Sequence, residues 1–304
     1  MSLLLHATVG VGVSIPHRSG APISPDDVAA VAVRAEERGF TDLWVTDNTL
    51  SAPSREFSLD PFTVLSYTAA VTTQIGLGVA VLVLPVRHPV HVAHQIASLD
   101  YLSGGRAALA VGIGRDFNYV QFQVPSERRV RRFLDGVAVM RSLWSQTPVK
   151  VETETYRLTE AGMLPKPVQA PFPLWFGGTH PDAVRRAARY ADGWIGSGGQ
   201  SIAAFAESVR ILRSALEQAG RAPGFPVSKR VFVAVDDKPQ AARRELDRWF
   251  QRDGRADASG VYGTVEQVRQ RLFDLAGMGA SHLLLNATAR YAEHVDALAE
   301  VAGL

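Results

Sequence analysis

The chain has 304 residues, 46% hydrophobic and 20% charged, with 32 Lys and Arg against 30 Asp and Glu, a formal net charge of +2 and no cysteine. This suits a soluble globular enzyme, argues against a nucleic-acid partner, and excludes disulfides, thiolate catalysis and thiolate metal sites. The start, Met1-Ser2-Leu3-Leu4-Leu5-His6, has no basic n-region, and no run of about 18 apolar residues exists, so neither a signal peptide nor a membrane span is expected and the cytoplasm is the expected location.

Residues 8–15 read as a first strand. Ser24 or Pro25 opens a helix that runs to about Arg38, with Gly39 as its stop signal. Residues 43–46 are a short second strand, 47–59 a long polar loop, and Asp60-Pro61 starts a helix ending near Thr72. Residues 76–84 and 107–112 are apolar, β-branched runs flanking an amphipathic segment that begins after Pro89. That is the pattern of a strand, a crossover helix and a second parallel strand, both strands buried on both faces. A long amphipathic helix covers 127–144.

The alternation breaks over 145–172, where Pro148, Pro165, Pro167 and Pro171 cluster and a small hairpin is expected around 149–158. Strands at 174–177, 193–195 and 227–235 follow, with helices at 181–190, 201–219 and 238–252. A helix at 265–278, a strand at 282–286 and a helix at 291–304 complete the chain. Eight strands with helical crossovers predict one α/β domain over 1–304, a (β/α)8 TIM barrel with an insertion after the fourth βα unit.

Such a barrel builds its site at the carboxyl ends of the strands. In Phe176-Gly177-Gly178-Thr179-His180-Pro181 a strand runs into two glycines and a helix start, where backbone N–H groups can hold a phosphate. The same glycines would also serve a tight turn that needs positive φ. Gly112-Ile113-Gly114, with Arg115, Asp116 and Asn118, lets a flat ligand approach the backbone, though the third glycine of a dinucleotide fingerprint is missing. Thr46-Asp47-Asn48 ends strand two and could orient a ring or a substrate, although Asp-Asn is also a common turn pair. His88, His91 and His94 are spaced so that the third imidazole is rotated off the face of the first two, and no metal site is expected. With no nucleophile elbow, Walker motif or carboxylate pair, the chemistry points to a phosphorylated cofactor that carries the reaction itself.

At these residues the chain resembles the luciferase-like monooxygenase superfamily and, within it, the coenzyme F420-dependent oxidoreductases. The resemblance runs through residues 35–47, 82–89, 99–106, 111–114, 164–169, 176–178 and 186–194. It implies a (β/α)8 barrel with an insertion, often a homodimer, that binds a flavin or deazaflavin at the carboxyl ends of its strands. In the deazaflavin members a bulge with a non-prolyl cis bond in strand three backs the ring, which maps to Ala80 and Val81 with Val83 just beyond. Asp47, Ile113, Gly114 and Asn118 match ring- and ribityl-binding positions, and Gly177, Gly178, His180 and Pro181 match the phosphate site.

Two positions depart from the family pattern. Asn48 stands where deazaflavin dehydrogenases commonly carry a histidine for proton transfer, and an amide does not titrate near neutrality. Arg115 stands where the sugar-phosphate dehydrogenases keep a glutamate; it cannot serve as a base but can bind an acidic substrate group or an anionic cofactor tail.

The resemblance therefore implies hydride transfer between coenzyme F420 and a small organic substrate, with Asp47 and Asn48 orienting the reactants and Arg115 beside them. The alternatives are an FMN-dependent monooxygenase supplied by a separate reductase, and a catalytically silent flavin-binding or scaffold protein. Substrate walls are expected from 51–59, 145–172 and 253–263.

Overall fold

Eight parallel strands, each paired with the next in the chain and the last with the first, close into a barrel in the computed structural model, which describes residues 4–50, 57–221, 224–251 and 255–304. They are β1 (Gly10–Ser14), β2 (Asp42–Val45), β3 (Gly76–Val83), β4 (Ala107–Gly112), β5 (Leu174–Gly177), β6 (Gly193–Gly196), β7 (Val227–Val235) and β8 (His282–Ala287). Closure is made by β1 against β8, with Val11 opposite Leu283 and Val13 opposite Leu285. The expected (β/α)8 architecture is the one observed, and the insertion lies between β4 and β5.

The crossover helices begin where the local chemistry dictates. Ser24, Asp60 and His180 accept hydrogen bonds from the first-turn N–H groups of Pro25–Glu37, Pro61–Val71 and Pro181–Tyr190, and each helix has proline at its first position. Proline loses nothing there, because that N–H has no partner inside the helix. The apolar faces of the helices, among them Val31, Leu65, Ile96, Val184, Leu212, Leu272 and Leu298, are buried against the outward residues of the barrel.

Two of the quoted motifs tie the barrel together away from its mouth. Arg106 donates to the carbonyls of Ala69, Thr72, Ile75 and Ser103, closing the end of Pro61–Val71 onto β3. The Asp100 carboxylate accepts the backbone N–H of Gln169 at 3.0 Å and its side-chain amide at 2.7 Å, pinning the insertion to Pro89–Leu102.

The lumen is filled. The His282 Nε2–H donates to Asp42 at 3.0 Å, and Ser228 Oγ lies 2.8 Å from His282 Nδ1. Trp44 donates its indole N–H to the same carboxylate. Next come Trp44, Ala80, Ala110, Ile195 and Leu284, with Trp175 packed against them. Gly78 and Gly193 make room for the two indoles, since a Cβ at either position would overlap a tryptophan ring. This layer plugs the N-terminal half of the lumen, so the mouth at the strands' carboxyl ends is where a ligand can enter.

Strand and helix ends differ from the expected ones by one to a few residues, and three segments differ in kind. The 47–59 loop contains Phe57–Ser58, which pairs antiparallel with Arg18–Ser19; residues 51–56 lie outside the described residues. The expected irregular stretch 253–263 contains, in its described part, a short helix, Arg255–Ser259, and a strand, Gly260–Gly263, parallel to β7. At nine residues β7 outruns its barrel neighbours, and Gly260–Gly263 satisfies the ladder groups that would otherwise be left at its end. A short helix, Asp116–Gln121, follows β4 where no element was expected. The hairpin pairs Val149–Glu152 with Arg157–Ala161, three residues further than expected. Among the described residues no helix is long and apolar enough to cross a membrane.

Candidate active site

The peptide bond between Ala80 and Val81 is cis, at the expected position. The pairing of β3 with β4 slips there: Ala80 faces Ala110 and Leu82 faces Val111, so Val81 is an extra residue in the ladder. Such a bulge turns the extra side chain out of register. The half-buried Val81 side chain lies over the ends of β4 and β5, where a Cβ on Gly112 would sit 3.2 Å from it and one on Gly177 would overlap it. Gly177 thus owes its identity to Val81.

Asp47 follows β2 with its side chain only 5% exposed. Oδ2 accepts the backbone N–H of Val83 at 3.0 Å and Arg87 Nε–H at 3.1 Å, while Oδ1 accepts Arg87 NH2 at 2.8 Å and the Thr49 hydroxyl at 3.2 Å. The carboxylate expected to meet a ligand is therefore engaged in holding the strand beyond the bulge. Arg87, which does the holding, carries no role in the expected site; its signal was a lone cation directly after the apolar run Leu84-Pro85-Val86.

Asn48 ends a directed chain of hydrogen bonds. Its Nδ2–H donates to Thr46 Oγ at 2.7 Å, the Thr46 hydroxyl donates to His17 Nε2 at 2.8 Å, and the Thr46 N–H donates to the same nitrogen at 3.0 Å. His17 Nδ1–H completes the chain by donating to the Ile15 carbonyl at 2.7 Å. Burial pushes the His17 pKa down to about 4, and Arg230 and Arg18 oppose its charging, although the Ile15 bond acts the other way. The ring is neutral at physiological pH and accepts at Nε2.

Gly114 adopts φ +81°, and a Cβ there would overlap Val83 and sit 3.0 Å from Asn118 Oδ1. The Asn118 amide oxygen accepts the backbone N–H of Arg115 at 2.9 Å, and the Ile113 carbonyl accepts the Tyr119 hydroxyl at 2.7 Å. The Arg115 side chain is exposed at the rim. After β5, Gly178 takes φ +144°, and His180 caps the next helix by accepting the Asp182 N–H at Nδ1, 3.2 Å away. One first-turn N–H is thereby already occupied. Pro181 holds the first helical position.

Asp47, Val81, Val83, Gly114, Asn118 and Gly177 thus converge on the ends of β3, β4 and β5, while Arg115, His180 and Pro181 lie exposed at the rim. The other side of the mouth carries groups absent from the expected set. Arg230 on β7 donates through Nε–H to Asn286 Oδ1 of β8 at 2.9 Å and also through NH2. Arg18 and Tyr291 lie close enough to act on its charge, and burial, followed by Arg18, holds its pKa down at about 10. The available signal was the pair Lys229-Arg230 inside an otherwise apolar strand.

The chain matches the luciferase-like monooxygenase family over residues 8–302. It is 30% identical over 261 residues to an F420-dependent glucose-6-phosphate dehydrogenase of Kineococcus radiotolerans, covering 83% of this chain and 77% of that protein. Its fold superposes on an F420-dependent secondary alcohol dehydrogenase in complex with an F420-acetone adduct with a TM-score of 0.86 at 20% identity, covering 97% of this chain and 98% of that one. It also superposes on the FMN-bound oxygenating constituent of a Pseudomonas putida 3,6-diketocamphane monooxygenase, with a TM-score of 0.76 at 16% identity and 97% of each chain covered. Barrel order, the bulge at Val81 and a family match spanning nearly the whole chain agree, and the protein belongs to the luciferase-like monooxygenase family.

Proposed function

We propose that this protein is an oxidoreductase that uses coenzyme F420 to move a hydride to or from a small organic substrate. The observation that carries the reading is the bulge in β3, which sets the Val81 side chain at the mouth beside Gly112 and Gly177. The residues present fit a planar cofactor with a phosphate tail. Val81 offers an apolar backing to a ring, Gly114 and Asn118 leave room beside it, and Gly177, Gly178 and the helix start at His180 and Pro181 would hold the phosphate. The helices after β4 and β5 carry Arg129, Arg132 and Arg186, and the buried Nε of Arg132 has no hydrogen-bond partner, which suits an anionic tail with Arg115 at the rim.

When bound, the deazaflavin supplies the hydride chemistry. The protein's own part is positional: Asp47 fixes the bulged strand, and Asn48, oriented through Thr46 and His17, presents an amide that hydrogen-bonds without exchanging a proton near neutrality. The relative's name, F420-dependent, supports the deazaflavin over FMN. On this reading residues 1–304 are one domain, acting in the cytoplasm as a homodimer as the family resemblance implies.

Titration of the purified protein with F420 and with FMN tests the proposal. Micromolar binding of F420 is expected. Binding of FMN alone would move the assignment to a monooxygenase fed by a separate reductase, a reading that the non-titrating Asn48 favours. Binding of neither would leave a catalytically silent scaffold.

A further inference from the structure

We propose that Lys229 is a positioning residue for the substrate side of the mouth: its charged ammonium latches the loop Ser197-Gly198-Gly199-Gln200, and loss of the proton slackens that wall. What the wall does for a substrate rests on the proposed active site; the latch itself does not.

The placement follows from strand register. On β7, Ser228 contacts His282 in the lumen and Arg230 reaches Asn286, so these alternate residues face inward and Lys229 faces out. Lys229 is nonetheless only 2% exposed. Gly196 of β6 and Leu283 of β8 flank it in the ladder, and Phe205 covers it from the helix Ile202–Gln218, with Nζ 5.8 Å from the ring centroid. The ammonium reaches the loop that leaves β6, donating to the Ser197 carbonyl and, at 3.0 Å, to the Gln200 carbonyl.

That loop follows the carboxyl end of β6 and so belongs to the mouth. Gly198 is buried against Phe232, the next inward residue of β7 after Arg230, and a Cβ on Gly198 would overlap the ring. The Gly199 carbonyl accepts the Ser259 hydroxyl at 3.1 Å, which joins the loop to the wall expected from 253–263. Gln200 roots the far end, its side-chain amide donating to the Ala204 carbonyl at 3.0 Å and to Ser208 Oγ at 2.7 Å.

No acid balances the buried charge. Among the described residues both acceptors of the ammonium are backbone carbonyls, and no carboxylate acts on it. Gly196, Leu283 and Phe205, which pack on it, do not titrate; His282 and Asn286 of β8 face the lumen, and Glu207 and Arg210 pair with each other at the surface. Burial, followed by the charge of Arg230, brings the Lys229 pKa down to about 7.

Lysine is seldom buried so fully without a paired acid. The chain places it at only four of 32 basic positions, and an arginine here could not release its proton. Charged donors make hydrogen bonds roughly twice as strong as neutral ones, so the amine left after proton loss still reaches both carbonyls but grips them less. A lysine kept for packing would explain the contact with Phe205 but not two bonds to one loop of the mouth.

The test is an NMR titration of the purified, cofactor-free protein from about pH 5.5 to about pH 9, which brackets the lowered value and stops short of ordinary lysines. It follows the lysine Cε signals and the backbone N–H signals of Gly198, Gly199 and Gln200. The Lys229 signal is assigned by its absence from Lys229→Met and Lys229→Arg. It is expected to move together with the three loop signals, with one midpoint at about 7. Lys229→Met should abolish the loop transition, and Lys229→Arg, charged throughout, should hold the low-pH loop signals across the range. If the methionine variant does not fold, the shared midpoint in the parent and the arginine variant decide. A merely structural lysine would alter stability in these variants without tying the loop to its own proton.

A Lys229 signal that keeps an ordinary lysine midpoint would overturn the proposal. So would loop signals that stay still as Lys229 loses its proton, or that titrate unchanged in the variants. A loop that follows Lys229 in a protein that binds neither F420 nor FMN would sink the proposed function and leave the latch standing.

Discussion

Asp47 and Arg87 are joined by two hydrogen bonds, Nε to Oδ2 at 3.1 Å and NH2 to Oδ1 at 2.8 Å, while the same carboxylate takes the backbone N–H of Val83 at 3.0 Å. The pair fastens the end of β2 to the chain just past the cis bond. A mouth residue of this kind acts on a ligand through the strand it holds, and the predictions separate such holding roles from contact.

Asp47→Asn keeps the shape but leaves the largely buried Arg87 guanidinium with only the more exposed Asp60 carboxylate, 3.7 Å away, as counter-charge. Breaking a well-buried pair costs about 3–5 kcal/mol, and the partial exposure of Arg87 together with the remaining Asp60 reduces this to about 2 kcal/mol. Urea unfolding should show that loss together with weakened F420 binding. A variant as stable as the parent would refute the holding role.

Gly177→Ala places a methyl group into Val81 and should cost about 1–3 kcal/mol, the range for overpacking a filled site. Val81→Ala in the same chain should recover most of that stability, because the two changes meet at one contact. Additive losses in the double-mutant cycle would mean that the two side chains do not compete for the same space.

His17 titrates at about 4 in the folded protein against an ordinary 6.5. Above pH 6.5 both folded and unfolded chains hold it neutral, and it takes nothing from stability. Between 6.5 and 4 only the unfolded chain binds the proton, so stability falls as pH drops, by about 3 kcal/mol in all, and the fall ends below 4. His17→Gln should lose part of its stability at pH 7.5 but show a shallower decline from 6.5 to 4. Parallel curves for the two proteins would contradict the assignment.

Asp42 belongs to the plug at the other end of the lumen. Its pKa is lowered on balance: burial works against ionisation, but the His282 charge and hydrogen bonds from His282, Thr41 and Trp44 outweigh it. Its contribution is therefore present above the ordinary carboxylate pKa and is lost as pH falls below it, a window separate from that of His17. Asp42→Ala should cost about 3 kcal/mol by stranding the His282 and Trp44 donors, yet leave F420 affinity within twofold. A large loss of affinity at full stability would place Asp42 in the binding machinery.

Much of the architecture was legible in the chain. Apolar runs at 107–112 and 174–177 coincide with β4 and β5, because a buried strand reads as a hydrophobic block bounded by polar caps and prolines, and 227–235 coincides with β7 through its β-branched half, 231–235. The cis step at Ala80-Val81 was expected from family resemblance, not from any local propensity. The strand at Gly260–Gly263 was missed because two of its four residues are glycine and its pairing depends on how far β7 extends.

By itself, then, the sequence determined the order and kind of the elements, since periodicity, caps and prolines are local. It did not determine which way the polar residues of those strands face. Ser228, Lys229 and Arg230 are consecutive in β7, so no polar-apolar alternation says which faces inward, and only the closed register sends Arg230 to Asn286 while Lys229 turns away from the lumen. Tertiary contacts likewise decided that Asp47 is tied to Arg87, 40 residues along the chain. Partners at that separation are brought together by barrel closure, and no local pattern encodes them.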